Sequence, residues 1–206
     1  MNTLWKLRQG LGALFLRLKK PSPAPEPALR PTLRRLVWGR KVSLAFRERL
    51  FEVAEELMVE PDHLMACIAF ESAESFRPDI RNAAGSGAVG LIQFMPTTAR
   101  ALGTTSAELA AMSAERQLDY VLAYFMPYRG RLNSLGDVYM AILWPAGIGK
   151  ANDWVLWDRD TKPAAYRQNS GLDLDRDGRV TKGEAVAMVE AKLKRGRLPA
   201  FIWEGV

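Results

Sequence analysis

Two glutamates, Glu71 and Glu74, close the apolar run Met65 to Phe70, and each is followed by a serine, Ser72 or Ser75. Leu64, Cys67 or Ile68, and then Glu71 recur three or four residues apart, so on a helix Glu71 extends an apolar stripe at the C-terminal end. A carboxyl placed there is hard to ionise, first because burial disfavours the charge and then because the negative end of the helix dipole faces it. Such a group suits a general acid. Periodicity alone leaves a second reading open, a glutamate at a frayed helix end reaching water, because charged side chains are mostly exposed. Cys67 and His63 are the sole residues of their types. They exclude an intramolecular disulfide, a zinc site of Cys and His ligands, and any redundancy in a nucleophile–histidine pair. Carboxylates are left to carry the chemistry.

A second group of carboxylates stands a hundred residues on. Asp173, Asp175, Asp177, Gly178, Val180, Thr181 and Glu184 fit positions 1, 3, 5, 6, 8, 9 and 12 of an EF-hand loop, with Arg179 where the backbone carbonyl ligates. Alternating carboxylates, a glycine at the sharp turn and a closing glutamate are what a seven-oxygen calcium shell needs. The metal ligands expected over 173–184 are Asp173, Asp175, Asp177, Arg179, Thr181 and Glu184, and the cofactor is a structural Ca2+ with no organic group. Calcium sensors generally pair such loops, and a single one reads as a clip.

These groups need helices to place them. Phe46, Leu50, Ala54, Leu57 and Met58 follow helical spacing, and Pro61 with Asp62 opens the helix that leads to Glu71. Pro96 opens another short helix. Ser113 caps one whose Leu118, Val121, Leu122 and Phe125 share a face, Val138 to Leu143 is a further apolar segment, and Ala185, Met188, Val189 and Leu193 follow the acidic loop as an exiting helix. No stretch alternates over strand length, so the fold class is mostly α. The 206 residues, 48% of them hydrophobic, suffice for one good-sized core.

The formal charge of +6 is unevenly spread. Residues 1–40 hold nine Lys and Arg against Glu26, a balance of +8, and the remainder carries −2. The basic excess therefore belongs to an arm, and no nucleic-acid face is expected on the body. Within the arm Leu4, Leu7, Leu11, Leu14 and Leu18 form the stripe of a basic amphipathic helix over 1–19. That helix fits an anionic membrane surface or a virion or tail protein. Its apolar core is short and meets Arg17, Lys19 and Lys20 at once, which is not a secretory signal pattern, and no run reaches transmembrane length. Pro21, Pro23, Pro25, Pro27 and Pro31 then make an extended, basic linker, taken over 20–42.

Glu-Ser after an apolar helix, then Phe76 and Pro78, the glycines Gly85, Gly87 and Gly90, and the string Gly90-Leu91-Ile92-Gln93-Phe94-Met95-Pro96 together resemble the soluble-type lytic transglycosylases, which share the lysozyme-like fold with goose-type lysozymes. The resemblance implies a lysozyme-like transglycosylase domain over 43–155, followed by a C-terminal segment, 156–206, that carries the calcium loop. It also implies a substrate, peptidoglycan glycan strands, and a reaction. The single catalytic glutamate protonates the oxygen between N-acetylmuramic acid and N-acetylglucosamine. It then takes the proton of the muramic C6 hydroxyl as that oxygen closes on C1, leaving a 1,6-anhydro end. No water is consumed, so no second carboxylate is needed.

By the same resemblance the acid is Glu71, with Glu74 the alternative or a neighbour whose charge raises the Glu71 pKa. The family's commoner spacing puts the aromatic three and the proline five residues after the glutamate, and neither pair matches it. From Glu71 they fall two residues late, and from Glu74 one residue early. Glu71 is preferred because the apolar run leads straight into it. Gly90, Leu91, Ile92 and Gln93 correspond to the cleft wall and Met95 to its apolar lining, with core packing the other reading of Phe94 and Met95. Where the family carries Ala-Tyr-Asn-Ala-Gly this chain has Leu143-Trp144-Pro145-Ala146-Gly147. Trp144 can stack on a sugar but brings no phenolic hydroxyl. A goose-type muramidase on the same fold, or a catalytically weakened virion or wall-binding protein, are the alternatives. The compact layout resembles phage-encoded wall enzymes, and the expected place is a phage virion or tail, or the host cell, acting on peptidoglycan in the bacterial periplasm.

Overall fold

The computed structural model of the protein describes residues 33–82 and 85–205. The amphipathic helix expected over 1–19, and the linker as far as residue 32, lie outside the described residues. Among the described residues eight α-helices are formed: α1 (Leu44–Leu57), α2 (Pro61–Glu71), α3 (Pro96–Ala101), α4 (Ser106–Ala111), α5 (Ala114–Phe125), α6 (Leu135–Leu143), α7 (Pro163–Asn169) and α8 (Lys182–Gly196). Their starts follow local chemistry. Ser43, Thr105, Ser113, Ser134 and Thr181 each accept a first-turn amide on the side-chain oxygen, and Pro61, Pro96 and Pro163 occupy first-turn positions where no amide is needed.

α2 is the central helix. Leu64, Met65, Ala66, Cys67, Ile68 and Ala69 are all buried, and α1, α6 and α8 pack around them. The stripe expected from spacing is thus a helix enclosed on every side, the usual fate of one that is apolar all round. Four short strands complete the described residues: β1 (Arg34–Leu36), β2 (Val155–Asp158), β3 (Arg179–Thr181) and β4 (Trp203–Gly205). β1 pairs antiparallel with β4 through Leu36 and Trp203, and β2 pairs antiparallel with β3 through Trp157 and Val180. Strands of three or four residues are too short for alternation to reveal.

The linker read over 20–42 ends sooner than expected. Leu36, Val37 and Trp38 are completely buried, because β1 lies along β4 and the Trp38 ring fits against Gly196 of α8, where even a Cβ would come within 2.6 Å of it. Residues 156–206 belong to the same compact unit, which runs from residue 33 onward. No helix among the described residues is long and apolar enough to cross a membrane.

Candidate active site

Glu71 is the last residue of α2 and is only partly open to solvent. Among the described residues its carboxylate has no hydrogen bond and no ion pair. Burial without a partner pushes its pKa up from 4.5 to about 7. The neighbours that feel its charge are Cys67, one turn back on α2, Tyr124 on α5 and Tyr139 on α6. All three are held protonated above their ordinary values, chiefly by their own burial and then by neighbouring charges that include Glu71. The Tyr124 hydroxyl donates to the Ala141 carbonyl at 2.8 Å. Tyr139, buried and edge-on to Phe70 with centroids 5.5 Å apart, makes no side-chain hydrogen bond among the described residues.

Glu74 has a different setting. Its two carboxylate oxygens meet Lys192 Nζ at 2.7 Å and Arg195 Nε at 3.3 Å, both on α8. The structure therefore separates the two glutamates: one is paired and the other is not. Glu74 does not raise the Glu71 pKa, which burial alone accounts for.

The glycine-rich segment folds into a tight hairpin. Val89 and Phe94 exchange both backbone hydrogen bonds, and the Gln93 amide donates to the Gly90 carbonyl at 3.1 Å. Gly90, Leu91, Ile92 and Phe94 are buried, backbone included, so of the expected wall only the half-buried Gln93 and the exposed Met95 reach the surface. Gln93 turns its amide nitrogen back to the Ile80 and Gly90 carbonyls, at 3.2 and 3.1 Å. Met95 is 44% exposed, which favours lining over core packing. Phe94 packs edge-on to Tyr124 at 6.1 Å and so joins the hairpin to the surroundings of Glu71.

Gln117 of α5 escaped the sequence reading. It is completely buried, accepts from the Leu91 amide at 2.6 Å, and donates to the carbonyls of Pro78 at 3.0 Å and Leu109 at 2.9 Å. Gly90, at φ +86°, has to lack a side chain because a Cβ would lie 2.3 Å from the Gln117 carbonyl oxygen. Nothing in a helical pattern marks one polar residue as such a hub. Tyr139 was missed for a related reason, since it sits in an apolar segment that reads as plain core. Trp144, at the end of α6, faces β2: its ring is 5.7 Å from that of Trp157, with Lys162 Nζ 5.6 Å above it. Among the described residues no ring contact or hydrogen bond joins it to Glu71.

The match that decides the family spans residues 49–156, more than half of the chain, and is to the transglycosylase SLT domain. The chain belongs to that family. At family level it is a transglycosylase-type enzyme acting on peptidoglycan, with the lysozyme-like helical fold. No curated protein matches the chain.

Outside the matched segment lies the acidic loop. One carboxylate oxygen each of Asp173, Asp175 and Asp177 fall within 4.8 Å of one another, a group that could hold a metal ion. Asp173 is buried. Its Oδ2 accepts from the Tyr166 hydroxyl at 2.6 Å and the Gly178 amide at 3.1 Å, and these donors hold its pKa below the usual carboxylate range. Its Oδ1 is buried with no hydrogen-bond partner among the described residues. Glu184 is not brought to the cluster. It is the third residue of α8, where one oxygen accepts from the Thr181 amide and hydroxyl, both at 2.8 Å, and the other from the Leu174 amide at 2.9 Å. Arg179 and Thr181 lie on β3, held by β2.

Proposed function

We propose that this member of the family is a lytic transglycosylase that cuts between N-acetylmuramic acid and N-acetylglucosamine, with Glu71 as sole acid and base. The observation that carries this is a half-buried, unpaired carboxyl at the end of the central helix, whose pKa burial lifts to about 7. Protonated, Glu71 gives its proton to the glycosidic oxygen as the C1–O bond breaks. As carboxylate, it takes the proton of the muramic C6 hydroxyl while that oxygen bonds to C1, and the acid is restored. Glu74 is occupied by Lys192 and Arg195, so it is not free to position a water, which supports ring closure over hydrolysis. Gln93 and Met95 would flank the sugar, with the buried segment Gly90 to Ile92 behind them, and exposed Trp144 would serve a more distant one.

The test is mass spectrometry of digested peptidoglycan sacculi. Anhydro ends are expected. Reducing ends would make the enzyme a muramidase, and intact sacculi a wall-binding protein.

The acidic loop is proposed to hold Ca2+ on Asp173, Asp175 and Asp177, and the Arg179 carbonyl, Thr181 and Glu184 would complete the oxygen set only if Glu184 gives up the Thr181 and Leu174 donors that hold it here. Three crowded carboxylates and an orphaned, buried Asp173 oxygen suit a cation. The ion would supply charge balance and rigidity and take no part in bond cleavage. β3 already has its partner in β2, which supports a solitary loop acting as a clip.

A further inference from the structure

The turn behind Glu71 runs against backbone preference. Ala73, Glu74 and Phe76 have φ of 51°, 62° and 54°, left-handed values that residues with side chains keep only where their surroundings impose them. Within the turn the Ser72 hydroxyl accepts from the Phe76 amide at 3.1 Å and the Ser75 hydroxyl donates to the Ser72 carbonyl at 2.6 Å, and α8 holds the turn from outside by two routes. Lys192 and Arg195 grip the carboxylate of Glu74. Phe76 packs on Trp38, centroids 6.0 Å apart, and Trp38 Nε1 donates to the Lys192 carbonyl at 3.0 Å. The turn is in turn bonded to the end of α2, since the amides of Ser72, Ala73 and Glu74 donate to the carbonyls of Ile68, Phe70 and Ala69. Any relaxation of the turn thus moves the helix end that carries Glu71.

We propose that Glu74, gripped by Lys192 and Arg195 of α8, is a positioning residue that keeps Glu71 in its enclosed place at the end of α2. This rests on Glu71 being the acid and base. The other titratable groups facing Glu71 are Cys67 of α2, Tyr124 of α5 and Tyr139 of α6, all neutral near pH 7. The access of water to Glu71 therefore governs its ionisation, and the turn controls that access.

The experiment compares two ways of opening the grip that change the charge in opposite senses: Glu74→Gln, and Lys192→Met with Arg195→Met. Each is assayed for sacculus solubilisation across pH, with Glu71→Gln alongside. If position is what matters, both variants admit water to Glu71. The upper limb of the pH profile then falls in both, by about one pH unit, and kcat drops by ~10-fold with KM little changed. Combining all three substitutions should then cost no more than either set alone. If the groups act on Glu71 through charge alone, the limb moves down in Glu74→Gln and up in the lysine and arginine variant, which overturns the proposal. An unmoved limb with a lowered melting temperature overturns it too, leaving a structural tie. Retained activity in Glu71→Gln would instead remove the reading on which the proposal stands, whatever the other variants do.

Discussion

At the scale of single residues, Glu71 is isosteric with Gln but loses its proton in that change. Glu71→Gln should lower activity by at least ~10²-fold, and wild-type activity should fall as pH rises past about 7, where the acid is lost. The substitution should move stability the other way. Burial raises the carboxyl pKa in the folded chain, so its contribution is whole below 4.5 and is lost as pH climbs through about 7, beyond which a charge sits enclosed. Melting curves should coincide at pH 4 and separate at pH 8. There Glu71→Gln should melt a few degrees higher, for ~2 kcal/mol discounted for partial solvent contact. The position of Glu71 was legible because an apolar run leads into it. Its distinction from Glu74 was not, because Lys192 lies 118 residues further along the chain. Gln117 was equally hidden. Gln117→Leu strips partners from the Leu91 amide and the Pro78 and Leu109 carbonyls, so a loss of about 3 kcal/mol is expected in denaturant unfolding.

Among elements, α8 does most to hold the others in place. Its first residue, Lys182, reaches into the body, where Nζ meets Asp137 Oδ1 of α6 at 2.8 Å and the Lys150 carbonyl at 2.8 Å. Asp137 also accepts from the Gly149 amide at 2.8 Å and the Ser134 hydroxyl at 2.9 Å. Burial raises its pKa, but these donors outweigh it and leave the pKa below the ordinary value of 3.8. The pair's stabilisation is therefore present above pH ~4 and lost as pH falls through that lower value. Lys182→Met leaves Asp137 buried without its cation and should cost about 3–5 kcal/mol in urea unfolding, whereas a pair at the surface would cost under about 1. The helices themselves were readable from spacing and caps. Their layering was not: α2 looked like a one-sided helix because periodicity reports a pattern and not the number of neighbours, and β1 was taken for linker because three residues cannot show alternation.

For the whole molecule, the acidic loop and the site are joined by one helix. The loop ends at the cap of α8, Thr181 with Glu184, and the far part of the same helix grips the turn behind Glu71. Without a cation, Asp173, Asp175 and Asp177 crowd like charges at the start of that helix, and among the described residues only backbone amides and the Tyr166 hydroxyl answer them. A metal that binds the folded chain alone stabilises it by ~2.7 kcal/mol at a hundredfold excess over its dissociation constant. At this chain length that is a rise of roughly 5–10 °C in melting temperature. Magnesium should give much less, because it demands six rigid ligands and keeps its waters. The comparison is wild type against Asp173→Ala with Glu184→Gln, melted in chelator, calcium and magnesium. A calcium-specific rise in the wild type alone is expected. An equal rise in both would place the ion elsewhere, and no rise in the wild type would leave an acidic turn held by its own amides. Since the proposed cleavage steps use no metal, chelation should lower activity only as far as it loosens α8, so activity lost to chelator should track the fall in melting temperature.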